Sequence, residues 1–318
     1  MINNRRVFIT GGAGFIGSAV ADRLLDSNSV TLFDNLHRGT FDNRRVADNP
    51  QVRLIRGDIL DTGALAAAIA DHDIIIHCAA IAGIDSVADN PVSTMLTNMI
   101  GSANVFQAAL EFTEAKVVLC LTTSEVFGPQ ASNVDETSPG IVGPPGEPRW
   151  TYAAGKLAEE HLALAYHRQH RLPVVVLRPF NVYGPGQIGE GAVRNFIIQA
   201  LANEDLILSG GGGQIRSWCY IDDMVDAVIR AASTPAALGK TFNIGNANTV
   251  VSISELAKLI VDLSGSRSMI LDGPASNADI HVRSPCVDLA RKLLGFEAGV
   301  GLNEGLLRTI EHAGLATK

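Results

Sequence analysis

A tyrosine and a lysine stand where they could act together as a base. Tyr152 and Lys156 lie four residues apart in the segment WTYAAGK, so a helix would place them one turn apart on the same face. A free phenol has a pKa of about 10, and a base that works near neutrality needs a pKa lower by about three units. One cation about 4 Å away supplies about that shift at an effective dielectric constant of about 20. We therefore expect Lys156 to lower the pKa of Tyr152 enough for it to accept a hydroxyl proton.

A glycine-rich turn near the start of the chain adds a second element of this chemistry. Gly11, Gly14 and Gly17 follow a predicted strand and open a predicted helix, in the spacing GxxGxxG. Such glycines permit a tight turn, a close approach of the backbone to a pyrophosphate and close packing of helix on strand. The positive end of the helix dipole then faces the phosphates. We infer a bound dinucleotide, whose oxidised nicotinamide would place a second positive charge near Tyr152 and accept a hydride.

Two acidic residues indicate which dinucleotide binds. Asp34 ends the segment VTLFD, where a carboxylate accepts hydrogen bonds from a ribose diol and repels a 2′-phosphate. This favours NAD over NADP, although Arg38 is near enough along the chain to serve a 2′-phosphate. Asp58 ends the third predicted strand and is either an adenine contact or the N-cap of the next helix.

Hydroxyl groups and a carboxylate follow the fifth predicted strand, Lys116–Leu121. Side chains at the carboxyl end of a parallel strand face the ligand crevice of an α/β sheet. We expect Thr123, beside Ser124, to hydrogen-bond the substrate oxygen that the base deprotonates. Glu125 is predicted to transfer a second proton or to hold a water or a sugar hydroxyl, and the alternative is a helix or turn cap.

Strands and helices alternate through the first half of the chain, which predicts an α/β fold with a Rossmann-type doubly wound parallel sheet. The glycine-rich segment 181–218 breaks this pattern and predicts a smaller α/β C-terminal lobe over the carboxyl ends of the strands. We assign residues 1–178 and about 219–245 to the dinucleotide-binding domain, and residues 179–218 and 246–318 to the substrate-binding lobe. The predicted strands are Arg6–Thr10, Val30–Asp34, Val52–Arg56, Asp73–His77, Lys116–Leu121, Pro173–Leu177 and Thr241–Ile244. The predicted helices are Ser18–Asp26, Thr62–Ala70, Pro91–Phe112, Tyr152–Arg171, Tyr220–Ser233 and Ser252–Leu263.

Composition narrows the class of protein. The chain has 318 residues, of which 47% are hydrophobic and 18% charged, so disorder is not expected. Its net charge of −8 argues against general nucleic-acid binding. The sequence shows no signal peptide and no apolar run long enough to span a membrane, so we expect a soluble, cytoplasmic protein. We expect the four cysteines to be reduced core thiols and His167 and His170 to be solvated, with no metal site.

The segments that carry a family resemblance are TGGAGFIG, HCAA (His77–Ala80), Asn98 in the long helix, TTSEVFG, YAAGK, RPFNVYGPG, RSWCYIDD and the late segment Asp279–Phe296. Over nearly the whole chain they resemble the extended short-chain dehydrogenase/reductase family of nucleotide-sugar epimerases, dehydratases and decarboxylases. The resemblance implies a Rossmann domain that holds NAD and a C-terminal lobe that holds a nucleoside diphosphate sugar, with UDP as the expected nucleotide. It implies that NAD contacts Gly11, Gly14, Phe15, Ile16, Gly17, Asp34, Asn35, Asp58, Ile59, Ala79, Ala80, Asn98, Tyr152 and Lys156. It implies that the sugar nucleotide contacts Asn181, Asn195, Arg216 and Arg283.

The resemblance also implies how copies of the chain assemble. Family members often dimerise through two helices, which here would be those near Asn98–Phe112 and Tyr152–Arg171. Packed against their copies, these helices would form a four-helix bundle, so a homodimer is expected. Arg178, in RPFNVYGPG, is expected to be structural and not to bind substrate.

The family members share a first step, in which the C4 hydroxyl of the sugar becomes a ketone. Epimerases then return the hydride to the other face of the sugar, and dehydratases expel the C6 hydroxyl. Decarboxylases release carbon dioxide from a C6 carboxylate, which is β to the ketone. The order Thr123, Ser124, Glu125 resembles the decarboxylases and some GDP-sugar dehydratases. It departs from the thymidine-linked glucose dehydratases, which have Thr-Asp-Glu, and from simple galactose epimerases, which usually lack the glutamate.

Further segments favour one of these reactions. Ile141–Tyr152 resembles bacterial UDP-glucuronate decarboxylases of lipid A modification, and Ala192–Leu201 resembles UDP-xylose-forming decarboxylases. Arg283 falls where the former place an arginine near the carboxylate. The stretch Ala82–Val87, and Phe127 in place of the usual tyrosine, match neither group closely. UDP-glucuronate decarboxylation is the best prediction, with 4-epimerisation of a UDP-sugar as the alternative and dehydration third.

A protein without catalytic activity is the rival from another class. A silent NAD-binding regulator or scaffold would be expected to have lost Tyr152, Lys156 or Thr123. All three residues are present, which favours an enzyme.

Overall fold

The computed structural model describes residues 2–38, 44–274 and 280–316. The strands within these residues are β1 (Arg6–Thr10), β2 (Ser29–Asp34), β3 (Val52–Arg56), β4 (Ile74–His77), β5 (Val117–Leu121), β6 (Gln130–Val134), β7 (Val174–Pro179), β8 (Val182–Tyr183), β9 (Leu206–Ser209), β10 (Ile215–Ser217), β11 (Cys219–Tyr220), β12 (Lys240–Ile244), β13 (Val250–Ser252), β14 (Ile270–Gly273) and β15 (Val282–Pro285). The α-helices are α1 (Phe15–Leu24), α2 (Arg44–Ala47), α3 (Thr62–Ile69), α4 (Ile84–Asp89), α5 (Pro91–Met95), α6 (Ser102–Phe112), α7 (Thr151–His170), α8 (Ala192–Ala202), α9 (Ile221–Ser233), α10 (Ile253–Ser264), α11 (Asp288–Leu294) and α12 (Leu302–Ala316). Among the described residues, no helix is long and apolar enough to cross a membrane.

A seven-stranded parallel sheet forms the centre of the protein, in the order β3-β2-β1-β4-β5-β7-β12. The strand order reverses between β1 and β4, which is the doubly wound Rossmann arrangement with its ligand crevice at the carboxyl ends of the strands. The inner strands are apolar runs because helices cover both faces of the sheet, and every residue of β5 is buried. The predicted fold class is confirmed.

The strands of this sheet begin and end within two residues of their predicted positions. The long helix predicted for Pro91–Phe112 is also present, with an interruption. It consists of α5, a π-helical segment at Leu96–Gly101 and α6. The π-helical segment carries Asn98, which is fully buried.

Smaller sheets build the second lobe. One has four strands in the order β13-β10-β15-β6, and two parallel pairs join β8 to β11 and β9 to β14. Strand β6 precedes residue 178, so this lobe includes a strand that the predicted division assigned to the dinucleotide-binding domain. Helix α8 and strands β8 to β10 lie in the segment 181–218, where the sequence indicated little regular structure. Left-handed glycines such as Gly184, Gly186 and Gly189 interrupt the short elements there and obscure their periodicity.

A buried ion pair fastens helix α7 to the sheet. Arg178, on β7, donates to both oxygens of Glu160, at 2.6 Å from Nη2 and 2.9 Å from Nε. Thr241, on β12, donates to the same carboxylate at 3.0 Å. The Arg178 guanidinium also lies 4.7 Å from the centroid of the Phe127 ring. These internal contacts give Arg178 a structural role and hold α7 in place beside the crevice.

Candidate active site

Lys156 is buried at the carboxyl end of β5, where 1% of its surface is exposed. Its ammonium group donates to the Leu121 carbonyl at 2.8 Å and to Glu159 Oε2 at 2.7 Å. Helix α7 begins at Thr151, so Tyr152 lies in its first turn and lines the same cavity as Lys156. The ammonium group thereby pins α7 against the strand whose end carries the polar residues of positions 122–125.

The pKa of Tyr152 does not follow the prediction. Burial raises this pKa, Lys156 lowers it in part, and Glu125 raises it again, while a hydrogen bond with Thr123 lowers it slightly. The net pKa lies above that of a free phenol, so the expectation that Lys156 alone makes Tyr152 a base near neutrality is wrong. Burial removes the water that stabilises a phenolate, and the charge of Lys156 is shared with Glu159. The positive charge expected from an oxidised nicotinamide would lower this pKa in the same direction as Lys156.

Two arginines pair with Glu125, the carboxylate that follows β5. Arg149 Nη1 donates to Glu125 Oε2 at 3.1 Å, and Arg283 Nη1 donates to Oε1 at 3.4 Å. Burial by itself would raise the pKa of Glu125, but the charges of Arg283 and Arg149 outweigh it and hold the pKa below its usual range. Glu125 is therefore ionised near neutrality. It accepts hydrogen bonds there and is a poor candidate for the second proton transfer.

Arg283 has N–H groups that are not used in hydrogen bonds. The residue is 4% exposed, and its Nε and Nη2 atoms find no hydrogen-bond partner among residues 2–38, 44–274 and 280–316. Buried N–H groups are almost always satisfied in native proteins, so unpartnered donors at a cleft wall indicate a ligand acceptor. A guanidinium presents such donors in a planar fork that matches a carboxylate or a phosphate.

The glycine-rich turn has no room for side chains. Gly11 has a φ of 65°, and a Cβ atom there would lie 2.6 Å from the Ala79 backbone nitrogen. A Cβ atom on Gly17 would lie 2.3 Å from the Gly11 carbonyl oxygen. Because both contacts are with backbone, the turn packs directly on the loop after β4 and on its own helix. Helix α1 begins at Phe15 beside the cleft, which fits a pyrophosphate at its N-terminus.

Asp34 is held at the end of β2 by the backbone around it. Its Oδ2 atom accepts from the Ala13 N–H at 3.0 Å, and its Oδ1 atom accepts from the Leu36 N–H at 2.8 Å. Each carboxylate oxygen keeps a further lone pair for a ribose hydroxyl. Arg38, the alternative partner for a 2′-phosphate, donates to the Ala82 carbonyl on the loop after β4.

Asp58 is not the N-cap of α3. That position belongs to Asp61, whose side chain accepts from the Ala64 N–H at 3.0 Å. Asp58 accepts from Asn35 Nδ2 at 3.0 Å through one oxygen and from the Leu60 N–H at 2.9 Å through the other. These contacts join the ends of β2 and β3 and place both side chains in the wall of the cleft.

Asn98 differs from the other predicted cofactor residues. Its Oδ1 atom accepts from the Ile81 N–H at 2.9 Å, and its Nδ2 atom donates to the Ile81 carbonyl at 2.9 Å. The side chain is fully buried behind the loop after β4. The structure thus gives Asn98 a positioning role for this loop, where the sequence had indicated a cofactor contact.

Three adjoining cavities form one cleft along the carboxyl ends of the strands, with volumes of about 580, 340 and 530 Å³. Predicted residues in the wall of the first are Gly11, Gly14, Asp34, Asn35, Asp58, Ile59, Ala79 and Ala80. Those in the wall of the second are Gly11, Gly14, Phe15, Ile16, Gly17, Ala80, Thr123, Ser124, Glu125, Tyr152, Lys156, Asn181 and Arg283. Those in the wall of the third, which enters the second lobe, are Glu125, Tyr152, Asn181, Asn195, Arg216 and Arg283. The shared residues make the cleft continuous from Asp34 to Arg216.

Residues 7–245 match the family described as NAD dependent epimerase/dehydratase. The chain belongs to this family. The glycine turn, the Asp34 carboxylate and the continuous cleft fit NAD, which is the cofactor of this epimerase/dehydratase. The chain is 35% identical to a UDP-N-acetyl-alpha-D-glucosaminuronate decarboxylase of Bacillus cytotoxicus, over 96% of this chain and 97% of the relative. It is 37% identical to UDP-glucuronic acid decarboxylase 5 of Arabidopsis thaliana, over 96% and 88%.

The similarity of this chain to solved structures agrees with the family assignment. The UDP-glucuronic acid 4-epimerase of Bacillus cereus, in complex with UDP-glucuronic acid and NAD, is 27% identical, with a TM-score of 0.87 over 98% of this chain and 99% of that one. The UDP-glucose 4-epimerase of Thermotoga maritima, with UDP-glucose, is 27% identical, with a TM-score of 0.89 over 98% and 100%.

Sequence reasoning missed three charged residues of this epimerase/dehydratase. Arg149 binds Glu125, Glu159 binds Lys156, and Glu190 accepts from the N–H groups of Asp85 and Ser86 across the cleft. The spacing held a signal for the first two, since each lies three residues from a predicted catalytic residue. Glu190 had no such signal, because its partners lie about a hundred residues away.

The Gly17→Ala substitution should weaken NAD binding about tenfold or more, an effect of about 1.4 kcal/mol. The added methyl group must push the Gly11 carbonyl away and so distort the pyrophosphate turn. Isothermal titration calorimetry on protein freed of copurified nucleotide measures the effect. Gly213→Ala is the matched control, because nothing lies within 4 Å of a Cβ atom there. Wild-type NAD affinity in a folded Gly17→Ala protein would contradict the assigned pyrophosphate turn.

Proposed function

We propose that this protein is an NAD-dependent UDP-hexuronate decarboxylase, with UDP-glucuronate as the best single substrate and UDP-N-acetylglucosaminuronate as its close variant. The two decarboxylase relatives support the reaction class, since each is matched over nearly the whole of this chain. They differ in the group at C2 of the sugar. Tyr152, Lys156 and Thr123 are the proposed catalytic residues, with Ser124 beside them.

The observation that carries the proposal is the buried, incompletely paired guanidinium of Arg283. It lies in the wall shared by the second and third cavities, together with Tyr152. A neutral sugar does not need a buried cation beside its reacting carbons, whereas a C6 carboxylate does. The free donors of Arg283 can bind that carboxylate while Nη1 stays on Glu125.

NAD, when bound, would supply the acceptor for the C4 hydride and the donor for its later return to the same carbon. Tyr152 takes the proton of the C4 hydroxyl, and Thr123 hydrogen-bonds the same oxygen. Once C4 is a ketone, the C5–C6 bond breaks, carbon dioxide leaves and the electron pair moves onto the C4 oxygen. The protonated Tyr152 and Thr123 then stabilise that oxygen as an enolate. Protonation of C5 then gives a 4-keto pentose, and reduction of its C4 ketone would complete the UDP-pentose.

Glu125 and Arg149 orient the carboxylate-binding guanidinium. Glu125 is ionised and fixed between Arg149 and Arg283, so it holds the Arg283 fork in one plane. Loss of carbon dioxide is fastest when the C5–C6 bond stands perpendicular to the plane of the ketone, and a fixed fork can impose that geometry. The Glu125 charge also repels a substrate carboxylate and so opposes its tight binding before the reaction.

A 4-epimerase of a UDP-uronate is the second candidate. It is supported by the similarity to the Bacillus cereus 4-epimerase, whose structure contains UDP-glucuronic acid. The same Arg283 would hold the carboxylate in that reaction, but at an angle that keeps the C5–C6 bond intact. The two reactions differ in their products.

Mass spectrometry of the products tests the proposal. Purified protein with NAD should convert UDP-glucuronate or UDP-N-acetylglucosaminuronate to a product lighter by the mass of carbon dioxide. UDP-glucose, which has no carboxylate, should remain unchanged. A product of unchanged mass but altered chromatographic position would establish the epimerase instead, and loss of water would establish a dehydratase. Either result would contradict decarboxylation.

The Arg283→Met substitution should lower kcat/KM for the uronate by about a hundredfold or more, since one buried charged hydrogen-bond pair contributes about 3 kcal/mol. Arg283→Lys keeps the charge without the planar fork and should recover a small part of the activity. NAD affinity should stay within about twofold of wild type. Arg53→Lys, at an exposed position on β3, is the matched control. Full activity of Arg283→Met would refute the carboxylate-binding role.

We propose that the protein is a homodimer and that it is cytoplasmic. Val92, Leu96 and Ile100 are 71%, 47% and 48% exposed at spacings of four residues along the α5–α6 segment. This apolar stripe supports a dimer through the helices predicted to pair. The four cysteines are free thiols, which supports a reducing compartment that cell fractionation can test.

The Ile100→Glu substitution should convert such a dimer to a monomer, because a charge in an apolar helical interface is left without a partner. Analytical ultracentrifugation measures the change. Met269→Glu, at a residue 60% exposed elsewhere on the surface, should leave the assembly unchanged. A wild-type protein that sediments as a monomer would rule out the proposed dimer.

A further inference from the structure

The catalytic lysine has an acidic partner of its own. Lys156 Nζ and Glu159 Oε2 are 2.7 Å apart, and the two side chains are 2% and 0% exposed. Burial raises the pKa of Glu159, and the charge of Lys156, together with side-chain hydrogen bonds to Lys156 and Ser102, offsets part of that rise. A carboxylate in this position is costly to bury unless a cation compensates it, so its partner is the lysine.

The other titratable groups around Lys156 carry no compensating charge. From β4, burial lowers the pKa of His77 well below its usual value, and burial raises the pKa of the Cys78 thiol to about 12. From β5, burial raises the pKa of the Cys120 thiol well above its usual value. All three groups are therefore neutral near neutrality. On α7 itself, Glu160 is paired with Arg178.

His77 contacts two neutral hydroxyl groups. Its Nε2 atom lies 2.9 Å from the Ser102 hydroxyl, and its Nδ1 atom lies 2.6 Å from the Thr10 hydroxyl. The Ser102 hydroxyl oxygen lies 2.8 Å from the Asn98 carbonyl oxygen. This network packs behind Lys156 and supplies no anion. Within the described residues, Glu159 is thus the carboxylate that compensates the ammonium group.

We propose that Glu159 is a positioning residue that fixes the Lys156 ammonium group on the Leu121 carbonyl and offsets the positive charge that Lys156 presents to Tyr152. The inference rests on Tyr152 as the base, a role shared by decarboxylation and epimerisation. With Lys156 compensated, the acidity of Tyr152 depends on the charge of the bound nicotinamide. Tyr152 should lose its proton readily beside the oxidised cofactor and retain it beside the reduced cofactor.

The expected size of the effect follows from helix geometry. Glu159 lies seven residues after Tyr152 on α7, and a rise of about 1.5 Å per residue separates them by about 10 Å. At an effective dielectric constant of about 20, one charge at that distance shifts a pKa by about one unit. The negative charge raises the pKa of Tyr152, so removing it should lower that pKa.

The first test compares two substitutions at one position. Glu159→Gln removes the charge in nearly the same volume and should move the acid limb of the kcat/KM profile to lower pH by about one unit. Glu159→Asp keeps the charge on a shorter side chain, so its acid limb should stay near that of wild type while kcat falls. Glu111→Gln makes the same chemical change at an exposed position on α6 and should shift nothing. If the acid limb of the kcat/KM profile of Glu159→Gln coincides with that of wild type, the proposal is overturned.

The second test needs neither a Glu159 variant nor an identified product. Ultraviolet difference absorbance of tyrosinate is titrated against pH in the complexes with NAD⁺ and with NADH, and the same titrations of Tyr152→Phe are subtracted. Burial raises the pKa of each of the other three tyrosines, and subtraction of the Tyr152→Phe titration removes their contribution. Tyr152 should ionise at least one pH unit lower with NAD⁺ than with NADH. Equal ionisation in both complexes would show that the acidity of Tyr152 does not depend on the charge of the nicotinamide, and it would overturn the proposal even if the decarboxylase assignment holds.

Discussion

The Lys156 ammonium group is the contact on which the geometry of the cleft depends. A buried ammonium is unstable unless its donors are satisfied, and here the Leu121 carbonyl and the Glu159 carboxylate satisfy them. The first contact fixes α7 on the end of β5. That places Tyr152 beside the polar residues that follow the strand, with Thr123 among them. The same bonds that hold the helix therefore align the proposed base with the hydroxyl that assists it.

The second lobe completes the site by bringing charges together from distant parts of the chain. Glu125 follows β5, Arg149 precedes α7, and Arg283 lies on β15. Strand β15 pairs with β6, which leaves the Rossmann unit to join the second lobe. This pairing carries Arg283 across to the end of the main sheet. The result is a single cleft. Tyr152 lies in the wall of both the second cavity, at the cofactor end, and the third cavity, at the sugar end.

Local patterns explain why much of this could be predicted from the sequence. Apolar runs such as Val117–Leu121 predict buried parallel strands, and the glycine spacing at Gly11, Gly14 and Gly17 predicts the turn. The pKa of Tyr152 could not be predicted, because it depends on how deeply the phenol is buried and on what else binds Lys156. Helix α8 and strand β6 were missed because left-handed glycines and pairing between distant segments leave no periodic pattern in the sequence.

We propose that C4 of the sugar is oxidised and reduced within one closed cycle, and that carbon dioxide leaves from the ketone in between. Turnover of UDP-glucuronate in heavy water, with nuclear magnetic resonance of the product, distinguishes this cycle from its alternatives. The UDP-pentose should carry solvent deuterium at C5, where the enolate is protonated, and none at C4, where the original hydride returns. Deuterium at C4, or a product that retains its carboxylate and has no deuterium at C5, would contradict it.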